Sequence, residues 1–163
     1  MEKPLTQKHG IIGLEEEVKL FIPGTKKFIR RKAKIDTGAR TTAIDISIAK
    51  KLGMAHVYRE FKLHKPTWKL TKKNFPEMRE KLRKLVPTLK KQIPGLHDVR
   101  IIPATNGITM RPYIKLHFHL NNKHLDTIAS IVDRKILIYP VLVGKADLSG
   151  FLIDPTHHDY QEA

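Results

Sequence analysis

Hydrophobic residues alternate with polar ones over short runs near both ends of the chain, and recur at helical spacing only in the middle. Residues 1–9 read as a frayed tail. Ile11 to Ile22 is rich in apolar and β-branched residues, and its EEVKLFI portion alternates as a strand does. Pro23-Gly24-Thr25 predicts a turn. From Phe28 to Ile35 a second strand is expected, with Phe28, Arg30, Lys32 and Lys34 on one face and Ile29, Arg31, Ala33 and Ile35 on the other. Thr41 to Ile46 is β-like, and SIAKKLGM predicts a short helix closed by Gly53.

The middle differs. Lys62 to Thr71 shows no period and reads as irregular. From about Phe75, Met78, Leu82, Leu85, Leu89 and Ile93 form one apolar helical stripe, with Asn74 as N-cap and Pro76 in the first turn. Pro87 is expected to break or kink this helix, and Pro94-Gly95 to end it. Val99 to Pro103 then runs into Asn106-Gly107, a strong hairpin signal. Ile114, Leu116, Phe118 and Leu120 alternate with Lys115, His117 and His119, and Asn121-Asn122 turns that strand back. Two further strands are expected over Thr127–Val132 and Ile136–Val143, the second almost wholly apolar. The organisation predicted is a single mainly β domain over 1–163, with a helical basic insertion at about 59–98.

Composition narrows the chemistry. No cysteine is present among the 163 residues, which removes disulfides, thiolate metal sites and a cysteine nucleophile. The N-terminus lacks an apolar signal segment and no run is long enough to span a membrane, so a cytoplasmic protein with no membrane partner is expected. Thirty-one Lys and Arg against sixteen Asp and Glu give a net charge of +15. Thirteen basic and only four acidic residues lie between Arg59 and Arg100. Such a field favours a polyanion: nucleic acid, a ribosome or an acidic protein. A solvated face over an apolar stripe explains most of the same segment, and Phe61, Trp68 and Phe75 are not spaced as a base-stacking platform.

One stretch carries specific chemistry, AKIDTGARTTAID, Ala33 to Asp45. Asp36 follows an apolar strand and precedes Thr37, Gly38 and Ala39. Asp and Gly are common turn residues, so an ordinary turn is one reading. The other is an aspartic protease loop. The strand fixes the carboxylate, Gly38 permits close backbone approach, and the Thr37 hydroxyl can bond the opposite half of the site. Ala39 leaves room beside the reacting water. Peptide hydrolysis by this route needs two carboxylates ~3 Å apart sharing one proton, one acting as base and one as acid. The chain has one such turn, because Asp147-Leu148-Ser149-Gly150 lacks the spacing. The second carboxylate must then come from a second copy, which predicts a homodimer with the site on its two-fold axis.

KIDTGARTTAI, NGITMRP, IVDRKILIYPVLVGKADL and GFLIDP occur in this order over roughly residues 11–53 and 99–155. The combination resembles the retropepsin-like aspartic protease domain of the family that carries the label ATP-dependent zinc protease. ISIAKKLGM is also similar to the segment after the catalytic turn of retroelement proteases. The resemblance implies the acid protease fold, a retropepsin-like closed β-barrel, and no cofactor. It implies Asp36 as the catalytic acid/base, Thr37 and Gly38 as its loop, Ala39 beside the substrate, and Asn106-Gly107 at the tip of a flap. Arg111, Asp133 and Arg134 match family positions, and Gly144 follows the strand that supports the loop. Some members are linked to ligases that add glutamates to a ribosomal protein, which extends the expected peptide substrate to acidic tails.

Two departures stand out. Gly144-Lys145 replaces the usual Gly-Arg, and Arg40 stands where retroviral enzymes place an acid; Asp133, Asp147 and Asp154 are its candidate partners. Two rival functions remain open: a retropepsin fold that binds RNA, a ribosome or an acidic partner without useful catalysis, and a metal-dependent peptidase. His117 and His119, two apart on one strand, are a poor zinc signature and read as solvent-facing. His157, His158 and Asp159 read as part of a solvated tail.

Overall fold

The computed structural model describes residues 10–105 and 107–157. Instead of one strand over Ile11–Ile22, two form: β1 (Gly10–Ile12) and β2 (Glu15–Phe21). The break falls at Gly13, whose N–H donates to the Glu16 carboxylate (2.8 Å). A Cβ on Gly13 would lie 2.2 Å from the His157 carbonyl oxygen, so only glycine fits this crossing. β1 pairs in parallel with β9 (Phe151–Ile153) as a separate two-stranded sheet.

β2 turns through Pro23–Lys27 into β3 (Phe28–Asp36), and the two pair along their full length, Glu15 opposite Lys34 and Phe21 opposite Phe28. The predicted alternation holds: Ala33 and Ile35 are buried while Phe28, Arg30, Lys32 and Lys34 are exposed. β4 (Thr42–Asp45) is buried at all four positions. Its last residue caps α1 (Ile46–Lys51), the Asp45 carboxylate accepting the Ser47 N–H (2.9 Å). Gly53, at φ +76°, ends that turn as expected.

Two longer helices follow. α2 (Ala55–His64) occupies a stretch with no clear sequence signal and takes Lys62–His64 from the segment read as irregular. It has no capping side chain at Met54, and its order comes from burial of Val57 and Phe61. α3 (Phe75–Gln92) runs unbroken through Pro87. Pro87 is exposed, as is Arg83, whose carbonyl loses the intrahelical bond, so water can replace the missing donor. Asn74 precedes α3 without capping it through its side chain; its Oδ1 accepts the Thr71 N–H instead (2.8 Å). Leu82, Leu89 and Ile93 are buried in one apolar cluster with Val99 and Ile101 of β5 (Asp98–Ala104).

β5 pairs with β6 (Gly107–Leu120), from Asp98 opposite Tyr113 to Ala104 opposite Gly107. β6 then turns through Asn121 and Asn122, both at positive φ (46° and 65°), into β7 (Lys123–Val132). That conformation at both central residues suits a tight hairpin and explains the asparagines. β8 is short, Val141–Gly144, and the expected strand over Ile136–Val143 is a loop in its first half. Ile136 and Ile138 are 94% and 88% exposed. The Asp133 carboxylate accepts the Lys135 N–H (3.0 Å) and the Arg134 carbonyl accepts the Leu137 N–H (2.8 Å), so local turn bonds override the apolar run.

The larger sheet has the order β2-β3-β8-β4-β7-β6-β5, and β2 also pairs with β6, Leu20 opposite Phe118. The ladder therefore returns from β6 to β2 and leaves β5 as an outer partner. β3 with β8 and β4 with β7 are parallel; the other pairs are antiparallel. Side chains from these strands, among them Leu20, Ile35, Ile44, Phe118, Ile131 and Val143, fill the interior. Among the described residues no helix is long and apolar enough to cross a membrane.

Candidate active site

Asp36 is the last residue of β3 and sits opposite Gly144, the last residue of β8. The two strands are parallel, so their C-terminal ends open on the same side. Beyond Asp36 the chain makes a tight turn. The Asp36 Oδ1 accepts the Gly38 N–H (2.9 Å), and the Asp36 carbonyl accepts the Ala39 N–H (3.3 Å). Gly38 earns its place by proximity, since a Cβ there would meet Asp36 Oδ1 at 3.2 Å. Asp36 is half-buried, Thr37 and Gly38 are exposed, and Ala39 is half-buried.

The loop is fixed from beneath by β8 and the 3-10 turn that follows it, Lys145–Asp147. The Lys145 N–H donates to the Ala39 carbonyl (2.8 Å) and the Ala146 N–H to the Arg40 carbonyl (3.0 Å). A Cβ on Gly144 would fall 2.4 to 2.8 Å from the Thr41 backbone, so β8 passes against the loop with no space between. Next, the buried Thr42 hydroxyl donates to Asp147 (2.5 Å) and accepts the Gly144 N–H (3.3 Å). Thr41 meets the Tyr113 hydroxyl from β6 (3.1 Å). Directional bonds thus set the position of the loop that presents Asp36.

At the other end of β8, where the Asp45 N–H donates to the Pro140 carbonyl (2.8 Å), Asp45 meets Arg134, which follows Asp133. The Asp45 carboxylate accepts the Arg134 backbone N–H (2.6 Å), and the Arg134 guanidinium donates through Nε to the Tyr139 carbonyl (3.0 Å). Burial opposes ionisation of Asp45, but bonds from Ser47, Arg134 and Ile46 outweigh it and hold its pKa below the ordinary carboxylate value. The Arg134 pKa is lowered first by burial and next by the like charge of Arg111, while Asp45 and Asp36 act in the opposite sense. Arg111, Arg134 and Asp36 therefore share one electrostatic neighbourhood. An open groove of about 530 Å³ lies alongside, lined by Asp45, Ile46, Ser47, Asp133, Arg134, Lys135 and Pro140. Asp36 is not among its lining residues.

Gly107, expected at a flap tip, belongs to the β5–β6 hairpin. Gly107 starts β6 at φ +119°, a conformation that favours glycine, whereas Asn106 lies outside the described residues. Arg111 stands opposite Arg100 in register and its Nε donates to Thr109 (3.2 Å). Arg40 is exposed and makes no ion pair among the described residues; its carbonyl, not its guanidinium, ties the loop. Of its candidate partners, Asp147 is taken by Thr42 and Asp133 by its own turn.

The structure thus brings Asp36, Thr37, Gly38, Ala39, Arg40 and Gly144 into one loop and its support, whereas Arg134 is linked to Asp36 and to Arg111 by charge alone and Asp133 bonds within its own turn. Sequence reasoning missed Thr41, Thr42, Asp45 and Tyr113, and named Asp147 as a partner of Arg40 when it accepts from Thr42. Polar residues inside buried strands were the available signal for Thr42 and Asp45. His117 and His119 lie further along β6, away from this loop, and His158 and Asp159 are outside the described residues.

A family model described as "RimB-like: Retropepsin-like aspartic endopeptidase RimB" matches residues 11–163. No curated protein matches. Among solved structures, similarity extends to a protein of unknown function, Lpg0085 (DUF785), from Legionella pneumophila subsp. pneumophila str. Philadelphia 1. Its identity is 16%, coverage 91% of this chain and 94% of that one, and the TM-score 0.46. The Simian Foamy Virus (mac) protease is similar at 13% identity, over 82% of this chain and 90% of that one, with a TM-score of 0.40.

Proposed function

The chain belongs to the RimB-like family of retropepsin-like aspartic endopeptidases, and from that membership we propose that it hydrolyses peptide bonds as a homodimer with Asp36 as the reacting carboxylate. The observation that carries the proposal is the Asp36 loop. One carboxylate is placed at a strand end by bonds that leave Thr37 and Gly38 outward, and the loop backbone is locked onto β8. Two copies facing each other through this loop bring two carboxylates together. At ~3 Å they hold one proton between them, so one activates water while the other protonates the carbonyl oxygen.

On this reading the ring of pairings from β2 round to β6 is the closed barrel of the acid protease fold, and α2–α3 is an insertion into a single domain. The β5–β6 hairpin covers the peptide, and the Arg111–Arg134 pair supplies positive charge beside the two aspartates. That charge, with the exposed Lys and Arg of α3, favours an acidic peptide.

The test is Asp36→Asn. Cleavage of a peptide library should fall by about 10³-fold or more, because the acid/base step is lost, while melting temperature and sedimentation stay those of the wild type. Unchanged turnover in that variant sinks the mechanism. A catalytically silent module that binds RNA or an acidic protein is the second reading, favoured by the exposed cations of α3. It predicts no cleavage by the wild type and a complex that weakens steeply with salt.

A further inference from the structure

The outer face of the β6–β7 hairpin carries a second cluster of chemically active side chains. His117 is the register partner of Asp126, and His119 that of His124. Strand alternation puts all four on one face, while Leu116, Phe118 and Leu125 point inward and are buried. Their bonds form one chain. His119 Nε2 meets His124 Nδ1 (2.8 Å), His124 Nε2 meets Asp126 Oδ1 (3.0 Å), and His117 Nδ1 reaches the same Asp126 oxygen. Two imidazole nitrogens from different strands thus converge on one carboxylate oxygen.

We propose that His117, His124 and Asp126 form a binding site for one divalent transition cation of the zinc class, with His119 supporting His124 from behind. The three donor atoms already lie within 4.8 Å of one another. Bonds of about 2.0–2.2 Å to a central ion need donors roughly 3.4 Å apart, so small side-chain rotations complete the set. Two imidazoles and a carboxylate suit zinc, nickel or copper, whereas calcium and magnesium take oxygen ligands. All three residues are exposed, so water can fill the remaining position.

The tautomers allow this without an added base. Moving the His124 proton to Nδ1 frees Nε2 for the ion and makes Nδ1–H the donor to His119. The proton of His117 moves to its outer nitrogen in the same way. Such a bond to the far nitrogen of a ligating histidine fixes its orientation. The Phe21 ring packs edge-on against His119 (4.7 Å between ring centres) and lies 5.8 Å from His124, which limits their rotation. Lys19, the register partner of His119, acts on it as a like charge, and its ammonium sits over the Phe28 ring (5.2 Å).

The site is a structural clamp and not part of the peptidase. Tyr113, which touches the Asp36 loop through Thr41, lies four residues before His117 on β6, about 13 Å along an extended strand. A bound ion would instead tie the ends of β6 and β7 together beside the place where β2 joins β6. Neither the site nor its test depends on the activity assigned to Asp36.

Titration of the untagged full-length chain with zinc chloride by calorimetry tests the proposal. One ion per chain should bind, and the melting temperature should rise by about 5 °C at saturation. His117→Ala with His124→Ala, and separately the near-isosteric Asp126→Asn, should lose the binding and the shift. His119→Ala should weaken it by about 10-fold, and Asp36→Asn should bind as the wild type does. Failure to saturate, or equal binding by wild type, the double variant and Asp126→Asn, overturns the site. Should the double variant fail to fold, Asp126→Asn alone decides.

Discussion

The loop after β3 and the helices between β4 and β5 are held in place by opposite means. The loop exposes Thr37, Gly38 and Arg40 and owes its position to a few directional bonds: Lys145 to Ala39, Ala146 to Arg40, and Thr42 to Asp147 and Gly144. The helices owe theirs to area. Val57, Phe61, Leu82, Leu89 and Ile93 are buried, while the ion pairs of α3, Glu80–Arg83 and Glu77–Lys81, are solvent-exposed and contribute little. Hydrogen bonds specify where a group sits to within tenths of an ångström; apolar burial specifies only that a surface is covered. A reacting carboxylate needs the first kind of restraint, and a covering element needs only the second.

Leu89→Ala attacks the helical side of that contrast and should have the largest effect on stability. Leu89 is 2% exposed, and truncating a buried leucine costs about 2–5 kcal/mol through lost transfer energy and the cavity left behind. Chemical denaturation should show this loss, while peptide cleavage per mole of folded protein stays within about 3-fold, since no bond to the Asp36 loop is touched. A much larger fall in cleavage would show that α3 governs the loop and erase the distinction.

Gly144→Ala attacks the other side. Gly144 has φ −85° and ψ 165°, which alanine adopts freely, so its cost is space alone. The added methyl meets the Thr41 backbone at 2.4 to 2.8 Å and must push the loop from β8. Overpacking of this kind costs about 1–3 kcal/mol, less than Leu89→Ala. Cleavage should nevertheless fall by about 10²-fold, because a displacement near 1 Å at a reacting group costs that much. Denaturation midpoints and kcat/KM measured together on both variants check the crossing pattern. Equal cleavage in the two would refute the argument that β8 positions Asp36.

Legibility in the sequence follows the same division. Alternation over Phe28–Ile35 and Ile114–Leu120 named the strands, since a half-buried strand writes its inward face into every second residue. The stripe from Met78 to Ile93 named α3 for the equivalent reason. The Asp36 loop was legible because Gly38 answers a steric demand two residues from Asp36, and because the strand ending at Gly144 follows it in the order of a known family. What failed were segments whose outcome the apolar pattern does not carry. Ile136–Tyr139 is apolar enough for a strand, yet the Asp133 and Arg134 turn bonds and the hold of Asp45 on the Arg134 N–H make it a loop. Asp45 was marked only as a polar residue inside a buried strand, and its bond to Arg134, 89 positions away, left no sequence signal. Pro87 misled for want of one fact, that its side of α3 faces water.

The smallest effect should come from the exposed charge on the helical segment, and it separates covering from guiding. Lys73, Lys84 and Lys91 are exposed and form no ion pair among the described residues. Replacing all three by glutamine should change stability by no more than about 0.5 kcal/mol per site, as for surface residues generally. If the segment only covers the core, cleavage of acidic and neutral peptides should be unaffected. If its cations also draw an acidic peptide toward Asp36, kcat/KM for that peptide should drop by about 3-fold at low salt and be restored to parity near 0.5 M salt. The neutral peptide should not respond in either case, because screening over roughly 4–10 Å removes only the charge-dependent part of the encounter. A triple variant whose acidic-peptide kinetics match the wild type at every salt concentration would confine α3 to packing.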